Sequence, residues 1–145
     1  MHLIKEEAQR LKGNASKVFI GGFSQGGMVS LATLMRYKGK QPLGGAISLS
    51  GIHSLPEKPM EETEKNEREN LIRKTPLFLY MGKRDDFFKI PVTETSYEPI
   101  KKIYTGPDGK LHKNYLYNTE RNLKHAISKN ETTLLKRWIQ DRMTS

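Results

Sequence analysis

A short apolar run, Lys17-Val18-Phe19-Ile20, leads into Gly21-Gly22-Phe23-Ser24-Gln25-Gly26-Gly27, and a helical pattern follows directly. Few folds accommodate that junction. Within it, Gly22-Phe23-Ser24-Gln25-Gly26 reads G-x-S-x-G, the spacing of a strand that turns sharply into a helix with a serine at the bend. Such a serine adopts a strained backbone, so the residues two before and two after it are expected to lack bulk. Its hydroxyl then stands above the sheet, close to the positive N-terminal end of the following helix. The plainer reading of the same residues is a glycine-rich turn that binds a phosphate or nothing.

The rest of the chain extends the alternation of strand and helix. A helix is expected over 3–11, stopping near Gly13-Asn14, and a strand over 17–23. The next helix spans 25–38, with Met28, Leu31, Ala32 and Met35 on one face and Gly39 as its stop. Gly44 to Ser50 and Pro76 to Met81 are short apolar runs bounded by turn residues, so both read as buried strands. A helix over 96–104 ends at the turn Gly106-Pro107-Asp108-Gly109. A fourth strand is expected over 111–117, and a last helix over 129–143 buries Leu134, Leu135, Trp138 and Ile139. Residues 54–75 break the rhythm with a mixed-charge run, Glu61 to Glu69, read as a solvated helix or mobile excursion and not an acidic tail. The fold class expected is α/β, a mostly parallel sheet with helices on both faces. The 145 residues leave room for one domain.

Composition narrows the chemistry. With no cysteine, neither a disulfide nor a thiolate metal site is available. The chain has no apolar run long enough to span a bilayer and no secretory leader at Met1, so a cytoplasmic protein is the expectation. The formal charge of +9 comes from scattered lysines and arginines, densest in the C-terminal third. Peripheral attraction to an anionic membrane fits that distribution, whereas no nucleic-acid recognition module is visible.

A nucleophilic serine needs a base, and the base needs an orienting acid. The four histidines are His2, His53, His112 and His125. His2 precedes the first helix, and His112 sits at the start of the fourth strand. His53 follows the second strand and is a conceivable site residue, with a surface loop histidine as the preferred reading. His125 lies after the fourth strand, at the carboxyl end of the sheet where sites of open α/β folds gather. Among the aspartates, Asp108 belongs to a tight turn and Asp141 to the last helix. Asp85 and Asp86 both follow the third strand, and both stay open as the acid. The chain order Ser, Asp, His is that of an α/β-hydrolase.

The segments Gly21 to Gly27, Gly44 to Gly51 and Pro76 to Asp85 resemble the acyl-protein thioesterase and small carboxylesterase family, also described as phospholipase/carboxylesterase. The family's acid-bearing loop aligns its aspartate with Asp85, with Met81 in place of a histidine. Asn122-Leu123-Lys124-His125 is similar to the family's Gly-x-x-His, with Asn122 expected to keep a positive φ. The resemblance implies a serine esterase or thioesterase built on Ser24, Asp85 and His125, with the backbone N–H of Gln25 as an oxyanion donor. It implies an acyl ester or thioester substrate, a lipidated protein or a lysophospholipid among them, with no cofactor and no metal. It covers roughly the C-terminal two-thirds of such a domain, without the preceding strands and the His-Gly loop that gives the second oxyanion donor. A chain so shortened is expected to leave residues 17–23 as an open edge and to uncover Met28, Leu31 and Met35. The other reading is a non-catalytic remnant that serves as an interaction or structural subunit.

Overall fold

The computed structural model describes residues 1–144. Ten short elements run in the order α1 (His2–Arg10), a 3-10 turn (Ala15–Lys17), β1 (Phe19–Phe23), α2 (Gln25–Met35), β2 (Gly45–Leu49), α3 (Glu62–Arg73), β3 (Leu77–Gly82), α4 (Ile90–Tyr104), β4 (Tyr115–Glu120) and α5 (Lys129–Met143). The four strands form one parallel sheet in the order β1-β2-β3-β4. Each strand therefore pairs with its neighbour in sequence, and a helix bridges each step.

Strand alternation divides the core into two layers. On one face Ala46, Leu77, Leu79, Met81 and Tyr115 pack against Leu31, Leu34 and Met35 of α2, Ile72 of α3, and Tyr97, Ile100 and Tyr104 of α4. On the other face Ile47, Leu49, Phe78 and Tyr80 meet Trp138 of α5, with Leu134, Leu135 and Ile139 beside it. Helices thus cover both faces. A smaller cluster ties Ile4 and Ala8 of α1 to Val18, Tyr37 and Leu43. Among the described residues, no helix is long and apolar enough to cross a membrane.

Several local expectations are corrected. The buried stripe of α2 is Gly27, Ser30, Leu31, Leu34 and Met35, so Met28 and Ala32 lie at its margin. Leu31 and Met35 are buried and not uncovered. Residues 62–73 are helical, and Ile72 is buried within the main core, so the charged segment is anchored at its C-terminal end. The α4 helix begins at Ile90, six residues before its expected start. Pro91 lies in its first turn, where a missing N–H has no helical acceptor to lose. Pro99 sits inside the helix, a cost offset by the burial of Tyr97, Ile100 and Tyr104 around it. The β4 strand begins at Tyr115, not at Leu111. Leu111 only bridges back to Thr105 across the turn, and the ladder starts where the Asn114 carbonyl accepts from Leu77 N–H.

Candidate active site

The junction between β1 and α2 has the strain its sequence implies. Ser24 holds φ 56° and ψ −115°, a region that non-glycine residues rarely occupy. Its N–H donates to the Leu49 carbonyl, and its own carbonyl accepts from Met28, so both sides of the bend are pinned. The glycines serve unequal purposes. A Cβ on Gly22 would stand 2.4 Å from the carbonyl carbon of Gly26, and one on Gly27 would stand 2.5 Å from Ser48 Oγ. A Cβ on Gly26 would meet nothing within 4 Å. The room needed two residues after the serine is therefore room for Gly22 to approach, not for a side chain at Gly26.

Two loops at the carboxyl ends of β3 and β4 complete the site. Lys83 N–H donates to the Glu120 carbonyl at 2.8 Å and Arg84 N–H to the Leu123 carbonyl at 3.0 Å, which ties the loops together. Ser24 Oγ lies 2.8 Å from His125 Nε2, and His125 Nδ1 lies 2.7 Å from Asp85 Oδ2. Asp85 is fixed further, because its Oδ1 accepts from the N–H groups of Phe87 and Phe88 at 2.9 and 2.8 Å. The Asp85 carboxylate is fully buried, whereas Asp86 is exposed. Gln25 is the first residue of α2, so its N–H is among those a helix leaves without an intrahelical acceptor. The other histidines lie apart from Ser24. His2 pairs with Glu6, His112 Nδ1 accepts from Asn114 N–H, and His53 N–H donates to Ser96 Oγ. Burial lowers the pKa of His53, and its Nδ1 has no partner.

Some of the surroundings were not legible in advance. Phe23, Phe87 and Phe88 place their rings 5.1, 4.6 and 5.8 Å from the His125 imidazole. The adjacent Phe87-Phe88 pair just after Asp86 was the available signal. Behind His125, Glu120 Oε1 accepts from Tyr80 Oη and from Ser128 Oγ, both at 2.7 Å. Those bonds lower the Glu120 pKa, and burial with this carboxylate pushes Tyr80 up to about 12. Ser128 also caps α5 in a reciprocal capping box with Glu131. Asn122 does not hold a positive φ; among the described non-glycine residues only Lys12, Ser24 and Ser50 do. Its turn closes through Leu123 N–H and the Glu120 carbonyl, a bend that needs no left-handed residue.

The family model described as Phospholipase/Carboxylesterase matches residues 1–142. The chain belongs to the phospholipase/carboxylesterase family. Acyl-protein thioesterase 1 of Debaryomyces hansenii is 30% identical over 139 residues, covering 96% of this chain and 54% of the relative. Acyl-protein thioesterase 1 of Aspergillus fumigatus is 32% identical over 139 residues, covering 95% of this chain and 52% of the relative. The chain thus spans about half the length of these curated relatives. The crystal structure of Arabidopsis thaliana SOBER1 superposes with a TM-score of 0.70 at 25% identity, covering 98% of this chain and 60% of that one. Within the phospholipase/carboxylesterase frame, Met81 is fully buried in the core beneath α2 and α4, where an apolar side chain is at home.

Proposed function

We propose that this chain carries the catalytic centre of a serine hydrolase that cleaves carboxylic esters or thioesters. The observation that carries the reading is the unbroken line from Ser24 Oγ through the two ring nitrogens of His125 to buried Asp85, at 2.8 and 2.7 Å. Family membership supports the same chemistry. In the proposed sequence, His125 Nε2 takes the Ser24 proton as Oγ attacks the acyl carbon. Asp85 accepts from His125 Nδ1, which fixes the tautomer and stabilises the imidazolium. Gln25 N–H, at the positive end of α2, donates to the oxyanion. Collapse of the tetrahedral intermediate breaks the bond to the leaving oxygen or sulfur, which takes the proton from His125. Water then repeats the sequence on the acyl-serine and releases a carboxylic acid.

Acyl-protein thioesterases among the relatives favour a lipidated protein as the thioester, and the family description equally admits a lysophospholipid. The apolar rings around His125 suit an acyl chain in either case. The test is labelling with a fluorophosphonate probe followed by peptide mapping. Label on Ser24, lost in Ser24→Ala, is the expected result. Label on Ser48 or Ser50, or none on a folded protein, overturns the assignment in favour of a non-catalytic interaction subunit.

A further inference from the structure

The two loops that hold Asp85 and His125 also carry a cluster of exposed cations. Lys83, Arg84 and Lys89 are exposed on the first, and Arg121, Lys124 and Lys129 on or beside the second. None of the six forms an ion pair among the described residues. The carboxylates at this end are fewer than the cations: Asp86 and Glu94 are exposed, Glu120 is half-buried and tied to Tyr80 and Ser128, and Asp85 is buried against His125. Six other acids, Glu57, Glu61, Glu62, Glu64, Glu67 and Glu69, lie along α3 and the segment before it. Backbone bonds from Lys83 to Glu120 and from Arg84 to Leu123 hold the two basic loops side by side.

Amid these cations stand two large apolar side chains that the fold does not cover. Phe87 is 76% exposed and Ile127 is 53% exposed. Phe87 rests on the His125 imidazole and offers its remaining surface outward. We propose that this end of the molecule is a docking surface for an anionic lipid bilayer, with the lysines and arginines against lipid phosphates and carboxylates and Phe87 and Ile127 entering the headgroup boundary. A bilayer is the partner whose chemistry matches both halves of the surface. It offers diffuse negative charge over a wide plane and apolar matter directly beneath it. A nucleic acid would match the cations and the ring of Phe87, but has no use for an exposed isoleucine on the companion loop. The inference deepens the hydrolase reading, because it names the surface on which Ser24 would meet an acyl chain. Its test does not need turnover.

The full chain, and the full chain carrying Ser24→Ala, are mixed with vesicles of phosphatidylcholine alone or with about 30% phosphatidylserine and separated by sedimentation. Both proteins are expected to bind only the anionic vesicles and to be released about tenfold as salt rises from about 0.1 to 0.5 M, as charge screening requires. Lys89→Glu with Lys129→Glu should weaken binding about tenfold. These positions begin α4 and α5, where an acidic residue suits the helix dipole, so folding is preserved. Lys110→Glu with Lys113→Glu makes the same change of charge before β4, at the other end of the sheet, and should leave binding intact. Equal loss in the two pairs, or equal binding to neutral vesicles, overturns the proposal. So does binding to single-stranded RNA without binding to vesicles, which would reassign the surface. Fluorophosphonate labelling of Ser24 without vesicle binding removes the docking surface and leaves the hydrolase. Vesicle binding without labelling does the reverse.

Discussion

At the scale of single residues, the site rests on a few contacts that leave little freedom. Asp85 and Asp86 are adjacent in sequence, yet one carboxylate is buried against His125 and the other is in solvent. Asp85→Asn is therefore expected to reduce probe labelling or ester turnover by about 10⁴, since the amide favours the wrong imidazole tautomer. Asp86→Asn should leave either rate within a few-fold. A larger loss in Asp86→Asn, with an unchanged melting temperature, would reverse the assignment. The glycines around Ser24 give a sharper pair. Gly22→Ala drives a methyl into the Gly26 backbone, which cannot swing aside, and should destabilise the fold by about 1–3 kcal/mol. Gly26→Ala meets open space inside a helix and should be neutral or stabilising by roughly 0.5–1 kcal/mol. Thermal melts of the two variants decide it. Equal damage would mean that the elbow is crowded on both sides. The motif alone treats the two glycines as equivalent, because spacing records where small residues occur and not which atom needs the room.

At the scale of elements, the loop 121–127 is clamped at its two ends by one carboxylate. Glu120 closes β4, and Ser128 opens α5 while donating to Glu120 across the loop that carries His125. Glu120→Ala removes the acceptor for Ser128 and Tyr80 together. It should cost about 1–3 kcal/mol and slow probe labelling by about tenfold to a hundredfold as His125 loses its position. Glu120→Gln keeps an acceptor oxygen and should restore most of both. If the alanine variant melts lower but labels at the normal rate, the clamp has no part in positioning His125. Glu131 adds a pH dependence. It is fully buried, its Oε2 has no hydrogen-bond partner among the described residues, and burial pushes its pKa up to about 7. A carboxyl whose folded pKa lies above its unfolded value favours the fold most at low pH, and that contribution is lost as pH rises towards 7 and beyond. Glu131→Gln retains the capping box. It should stabilise the protein by on the order of 1–2 kcal/mol at pH 8 and by little at pH 4.5, as read from denaturant melts at the two pH values. An identical gain at both would rule out titration of Glu131. These features also mark what sequence reading reached. The runs of β1 to β3 and both ends of α5 follow from uninterrupted apolar patterning and were legible. The start of α4 was missed around Pro91, although the expected helix over 96–104 already ran through Pro99. The β4 strand lies at the sheet edge, so Asn118, Thr119 and Glu120 carry no apolar signature, and Leu111 drew the expected strand forward. The Glu120 clamp joins three elements and leaves no local pattern at all.

For the molecule as a whole, the sheet ends in two unlike edges. Among the described residues β1 pairs only with β2, and its other edge presents backbone beside the exposed Gly21 and Phe23. An open, partly apolar edge of this kind is a template for another strand. The chain on its own is therefore expected to associate as its concentration rises from about 1 to 100 μM, and Phe23→Lys should suppress that association. Sedimentation velocity across that range measures it, and a monomer throughout would show that the edge is guarded. A mostly parallel sheet with helices on both faces was visible from the alternation of elements, and the pairing of Ser24 with His125 from the triad-like chain order. The strand order β1-β2-β3-β4 was not read from the sequence. The cations and apolar tips beside the site were not visible, because their shared location depends on two loops far apart in sequence. The same sheet order also governs when the site comes into being. Each of β1, β2 and β3 finds a partner one helix further along the chain, so during synthesis these strands can pair one after another as each segment emerges. Ser24 is set in its bend as soon as β2 is in place, through the Leu49 carbonyl. Its partner His125 lies 101 residues later, beyond the last strand. A nascent chain therefore carries its serine in the strained geometry before the imidazole that meets it in the folded chain has been made.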